Sequence, residues 1–196
     1  MSEKLHRQRE EVEFTEKRIR YHSTLSFDDV LSKLRAQVGE ITLANILDPS
    51  VSREEFEKTV QQHTGDSGFA LFVQMDHGSW IAKFGIKRRL VRWIFGNPLI
   101  AITMLRYDYT AGLFVPPDLL LAESDDGDGC SITYVLPSSL IVVEENPQLL
   151  AAAQALDAKV EAFVESAVTS YTTALLLELR DVELSYDAFP GLSTRV

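Results

Sequence analysis

Apolar positions recur in two rhythms along this chain. Val12, Phe14, Ile19 and Tyr21 loosely alternate with polar residues, which predicts a strand over residues 12–22. Phe27, Val30, Leu31, Leu34 and Val38 then fall at helical spacing. Ser26 stands before them as an N-cap, with Asp29 three residues on, and Gly39 occupies the place of a C-cap. Ser52 and Glu55 make a capping-box pattern for a short second helix ending near Gly65. Residues 69–75 and 90–95 are dense apolar runs of strand length, and Asn97-Pro98 opens a short helix reaching Met104 and Leu105. Residues 113–121 and 131–136 flank a Gly- and Asp-rich link at residues 124–129, the pattern of a hairpin. Pro116-Pro117 cannot donate to a ladder, so it marks the start or an edge of the first of these strands. Asn146-Pro147 begins the longest helix, whose stripe runs through Leu149, Ala153, Leu156, Val160, Phe163, Ala167, Tyr171 and Ala174.

Consecutive strands joined by hairpins, with long helices on either side in sequence, predict an α+β fold in which an antiparallel sheet packs one face on helices. The expected division is a flexible arm over residues 1–11, a single domain over 12–180 with an insertion near 40–68, and an extension over 181–196.

Composition narrows the function classes. The chain has 196 residues, of which 45% are apolar and 24% charged, enough to build a core. No apolar run approaches the roughly 18 residues that span a bilayer, and the charged start lacks the apolar stretch of a secretory signal. A cytoplasmic protein without a membrane partner is the expectation. One cysteine, Cys130, leaves no internal disulfide framework and no multi-thiolate metal site. The formal charge of −10 argues against nucleic acid, whose binding depends on clustered Lys and Arg. The one dense basic stretch is Lys83, Lys87, Arg88, Arg89 and Arg92, which reads as a solvated loop or as an anion-steering rim beside a pocket.

Asp76-His77 is the sharpest chemical candidate. Neighbours on a strand point to opposite faces, but Gly78 allows a bend that turns His77 over the sheet. Imidazole suits proton transfer near neutral pH, and an adjacent carboxylate either orients it or caps the turn. No nucleophile accompanies it: Ser79 lies in no nucleophile elbow, and a lone Cys130 reads as a small buried apolar residue. The free amides after Asn97 suit an anion or an oxyanion, while Asn before Pro is explained equally by helix capping. His6, His22, His63 and His77 have no ligand spacing, and residues 125–129 miss the calcium-loop register, so no metal and no cofactor are expected. Trp80, Trp93, Phe95, Tyr107 and Tyr109 are core or pocket wall.

Phe72-Val73-Gln74-Met75-Asp76-His77, Phe95-Gly96-Asn97-Pro98, Val115-Pro116, the acidic Asp-Gly link and Tyr134 occur in the order found in a bacterial family. Through them the stretch from about Tyr21 to Ala167 resembles the domain of unknown function 302. The resemblance implies a curved antiparallel sheet of β-α-β4-α order, like the TATA-binding-protein group. Residues 99–103 depart from the Gly-Thr pair that this branch usually carries after Asn-Pro. Two functional expectations follow. In the first, an apolar small molecule sits between the sheet and the C-terminal helix, walled by Trp93, Asn97 and Tyr134. His77, assisted by Asp76, then serves a hydrolase or cyclase acting on an acyl or polyketide-like substrate, by analogy to helix-grip relatives of the fold. In the second, the domain is a non-catalytic binding or assembly module, forming a homodimer through the long helix and Leu175, Leu176 and Leu177.

Overall fold

Five helix starts follow from side chains next to them in sequence. In a computed structural model that describes residues 9–170, the Ser26 hydroxyl accepts the Asp29 amide at 3.1 Å and opens α1 (Phe27–Gln37). Two further helices, α2 (Leu43–Leu47) and α3 (Arg53–Gln62), follow, and Ser52 and Glu55 close a reciprocal capping box on α3. The Asp76 carboxylate caps the five-residue α4 (His77–Ile81). Asn97 accepts the Leu99 amide at 2.8 Å at the head of α5 (Pro98–Leu105). After the short α6 (Pro137–Ile141), Asn146 accepts the Leu149 amide at 3.0 Å and starts α7 (Pro147–Val168).

Six strands form one sheet: β1 (Arg18–Ser23), β2 (Gly39–Glu40), β3 (Ala70–Asp76), β4 (Leu90–Gly96), β5 (Asp118–Glu123) and β6 (Cys130–Val135), in the order β1-β6-β5-β4-β3-β2. Every ladder is antiparallel except the two-residue pairing of β2 with β3. The α+β class and the long helix on the sheet agree with the sequence. Without β2 and the shorter helices, the order is β-α-β4-α.

The differences have local causes. β1 begins at Arg18, not Val12, because Arg18 pairs with Val135 and Pro137 then starts α6, so residues 12–17 have no strand to pair with. β5 begins at Asp118, not Leu113: residues Tyr109–Leu113 are a 3-10 turn, and Pro116 and Pro117 have no N–H to donate. Gly39 is not a C-cap but the first residue of β2, donating its amide to the Phe69 carbonyl at 3.0 Å. The segment read as an insertion supplies the second residue of β2, and all of α2 and α3. Residues 1–8 of the expected arm over 1–11, the stripe positions Tyr171 and Ala174, the leucines 175–177 and the extension over 181–196 lie outside the described residues.

Strand alternation sorts the sheet into two faces. Val91, Trp93, Phe95, Leu119, Leu121, Ile132 and Tyr134 point toward Phe27, Val30 and Leu34 of α1 and Leu156, Val160 and Phe163 of α7. Phe69, Phe95 and Phe163 meet with ring centres 5.2–5.8 Å apart, and side chains of this size contribute roughly 2–3 kcal/mol each on burial. The opposite face carries Met75, Arg92, Leu120, Thr133 and Arg20, half-buried or exposed, with Arg92 paired to Asp118 at 2.6 Å.

Burial on the helix side raises two proton-bearing groups. It pushes the Cys130 thiol from 9.0 up to about 11 and the Tyr134 phenol from 10.0 up to about 12. Both groups stay protonated in the folded chain. Their contribution to stability is therefore complete below the unfolded values and is lost as pH rises, between 9 and 11 for Cys130 and between 10 and 12 for Tyr134. Urea midpoints should fall across those windows, and Cys130→Ala should flatten the lower one. The Tyr134 hydroxyl, moreover, has no hydrogen-bond partner among the described residues. Tyr134→Phe should thus leave neutral-pH stability unchanged or raise it by up to about 1 kcal/mol, and a clear loss would show a partner for that hydroxyl. The amide of Asn97 also donates to the Gly68 carbonyl at 3.0 Å. Asn97→Asp keeps the cap and loses that tie, at an expected cost of about 1 kcal/mol, whereas Asn97→Ala loses both, at about 2 kcal/mol by urea denaturation.

Candidate functional site

Asp76 ends β3 and His77 begins α4, so a bend does follow them. Its chemistry is local. The Asp76 carboxylate accepts the Ser79 amide at 3.1 Å, and the Ser79 hydroxyl donates back to the Asp76 carbonyl at 3.0 Å. That carboxylate therefore caps the turn, one of the two roles open to it from the sequence. The half-buried His77 turns its Nδ1 to the indole N–H of Trp80, which donates to it at 3.0 Å, with the rings edge to face at 6.0 Å. An accepting Nδ1 leaves a neutral ring's proton on Nε2.

Beside this turn lies a cleft of about 590 Å³, lined by Phe27, Asp76, Ser79, Arg88, Arg89 and Glu123 among others, but not by His77. Its basic rim is largely occupied by the protein itself. Arg89 grips Asp28 with both terminal nitrogens and lies 4.2 Å over the Phe27 ring. The guanidinium beside it holds the Asp28 carboxyl below the usual carboxylate range. Arg88 pairs with Asp125 and donates to the Glu123 carbonyl at 3.0 Å.

The other expected ligand contacts are elsewhere. Trp93 is 1% exposed, and its indole N–H donates to Gln74 at 3.1 Å. The Gln74 oxygen also accepts from Arg35 at 2.8 Å. Tyr134 is 3% exposed, its ring stacked on that of Tyr21 with centres 6.4 Å apart. The Tyr21 hydroxyl donates to Glu165 at 3.1 Å, and burial raises its pKa. Trp93 and Tyr134 are core residues between the sheet and the helices, where side chains fill the space that the sequence reading assigned to a ligand.

An apolar hollow does exist, at the end of that interface. It encloses about 360 Å³ among Phe72, Ile94, Ala101, Met104, Pro116 and Leu156, with Asn97 at its wall. Local sequence explains how it forms. Gly96 brings β4 close to the segment with the cis Val115–Pro116 bond, and a Cβ there would stand 2.9 Å from Pro116 Cβ. Pro98 then turns the chain into α5, which places Ile100, Ala101, Met104 and Leu105 along the opening. Among the described residues Asn97 is the single polar side chain of the lining, and its amide is already committed to Leu99 and Gly68. No titratable side chain among the described residues lines this hollow.

Of the five candidate residues the structure thus joins Asp76 and His77 at one turn, places Asn97 at the hollow, and puts Trp93 and Tyr134 in the core. The sequence reading missed Phe72, Ile94, Ala101, Met104, Pro116 and Leu156. A signal was present in α5, Pro-Leu-Ile-Ala-Ile-Thr-Met-Leu, which is apolar all round although it begins beside a loop. The Cys130 thiol donates to the Leu25 carbonyl at 3.5 Å, and its raised pKa keeps it protonated at neutral pH. Among the described residues no three His, Cys, Asp or Glu side chains converge as a metal would need, and no helix is long and apolar enough to cross a membrane.

Comparison with known proteins gives a family and a fold. A family model described as "Domain of unknown function DUF302" matches residues 47–167, a stretch that runs from the end of α2 into α7. The crystal structure of an uncharacterized conserved protein DUF302 from Bacillus stearothermophilus superposes with a TM-score of 0.55. It is 16% identical, and the match covers 76% of this chain and 97% of that one, a likeness that shows the fold alone. A search of curated proteins finds no match. The family match spans more than half of the sequence and includes the β3–α4 turn and every lining residue of the apolar hollow except Ile46, and the chain belongs to the DUF302 family.

Proposed function

We propose that this domain binds a small apolar molecule in the hollow between α5, the ends of β3 and β4, and the segment 115–117. The observation that carries this reading is the lining itself. A space of about 360 Å³ walled by aliphatic, aromatic and proline side chains, with one amide at its edge, has the size and character of a small-molecule site. Water gains few hydrogen bonds there, so an apolar ligand displaces it favourably. The pocket differs from the sequence expectation in position, lying at the end of the sheet–helix interface and not within it.

Binding without catalysis is the better-supported form of the proposal. Proton transfer requires a titratable group within hydrogen-bond reach of the ligand, and among the described residues the lining has none. Asp76 lies at the far end of β3 from Ala70, the residue that pairs with Gly96 at the hollow. Five residues of strand separate them, roughly 20 Å. A hydrolase or cyclase working through His77 would need a second site.

N-phenyl-1-naphthylamine, a neutral apolar dye whose emission rises on leaving water, provides the test. The full chain should bind it, and Ala101→Phe, which fills the hollow from α5, should weaken binding by about ten-fold or more at an unchanged melting temperature. His77→Ala should leave the dye affinity within about two-fold of the parent, being remote from the lining. Equal dye binding by the parent and Ala101→Phe would remove the hollow as the site, and a large loss with His77→Ala would return that residue to it.

A further inference from the structure

We propose that the loop between β3 and β4 docks this protein on an anionic lipid surface. The loop holds Trp80, Phe84 and Ile86, which are 50%, 77% and 53% exposed, in a chain whose other tryptophan is 1% exposed. Residues 82–87 are all exposed. Gly85 turns the tip in the left-handed region at φ 80°, and a Cβ built on it meets nothing within 4 Å, so the tip projects into solvent. The Trp80 and Phe84 rings stand edge to face at 6.4 Å, and the indole N–H is already satisfied by His77. The apolar body of Trp80 can therefore leave water without exposing an unpaired donor.

Charge selects the partner. Arg88, Arg89 and Arg92 are held by Asp125, Asp28 and Asp118, whereas Lys83 and Lys87, beside the apolar tip, make no ion pair with a described residue. A chain of formal charge −10 thus presents, next to its exposed apolar loop, two lysines without an ion pair among the described residues. Long lysine side chains reach headgroup phosphates while aromatic and aliphatic groups enter the interface, the arrangement of a peripheral membrane contact. A lipid surface suits this tip better than a protein does, because a stable protein interface buries about 800 Å² on each partner and a projecting loop of this size offers much less. The acidic link that begins beside Arg88 opposes a closer approach, so contact is confined to the tip. No spanning segment is implied: the loop lies on the surface.

The test uses the full chain with vesicles of phosphatidylcholine and phosphatidylserine in equal parts, against vesicles of phosphatidylcholine alone. Trp93 is buried, so a change in tryptophan emission reports Trp80. The expected result is a blue shift and co-sedimentation with the serine-lipid vesicles, weakened about ten-fold by their absence or by high salt. Phe84→Ser with Ile86→Ser should lower partitioning by about ten-fold or more at an unchanged melting temperature, and Lys83→Glu with Lys87→Glu should abolish the preference for phosphatidylserine. A parent protein that stays in the supernatant with unshifted emission overturns the proposal, as does unchanged partitioning of the Phe84→Ser, Ile86→Ser variant.

Discussion

The structure depends on β4 being buried on one face and tied on both edges. Its inward side chains Val91, Trp93 and Phe95 fill the space under α1 and α7, and its backbone pairs with β3 on one side and β5 on the other. A one-residue slip would exchange these three for Arg92 and Ile94, placing a charged group in the core and exposing an indole and a phenyl ring. Register is therefore fixed by burial, and everything attached to the ends of β4 inherits fixed positions. The loop ending at Arg89 feeds its first residue, and Asn97 follows its last.

That constraint explains why the chain has two separate candidate sites. A seven-residue strand is about 20 Å long, so residues adjoining its two ends cannot meet across it. The family motif Phe72 to His77 and the motif Phe95 to Pro98 are compact in sequence, yet antiparallel pairing sends their functional ends apart: Asp76 pairs with Val91, and Ala70 with Gly96. The apolar hollow belongs to the Asn97 end, and the projecting aromatic loop belongs to the His77 end. Each has its own electrostatic character. Among the described residues the hollow has no titratable lining, whereas the loop carries lysines without an ion pair beside a cleft of paired arginines.

Much of the fold was legible because its determinants are local. Ser26, Ser52, Asn97 and Asn146 each satisfy amides two or three residues away, so their meaning does not depend on the rest of the chain. Pairing is different. Val12 and Phe14 alternate as a strand does, but no partner extends that far, and alternation without a ladder leaves irregular backbone. β2 has only two residues and no pattern of its own, and is held by bonds from Gly39 and Ile41 to the Phe69 and Leu71 carbonyls. A parallel edge of that length has no one-dimensional signature.

The candidate site was less legible for a related reason. Trp93 and Tyr134 are identifiable as large aromatic residues, but whether such a residue walls a pocket or fills a core is decided by the helix laid over it. The hollow draws on Phe72, Ile94, Ala101, Pro116 and Leu156, five residues from five stretches of chain, of which only α5 around Ala101 carries a signal in its own window. Exposed apolar groups complete the argument. α5 is apolar on every side, and the β3–β4 loop leaves Trp80, Phe84 and Ile86 in water, although the same chain buries Phe69, Trp93 and Phe95 almost completely. Folding gains nothing from apolar area that stays wet. Apolar groups of this kind adjoin both ends of β4: Trp80, Phe84 and Ile86 precede it, and α5 follows it.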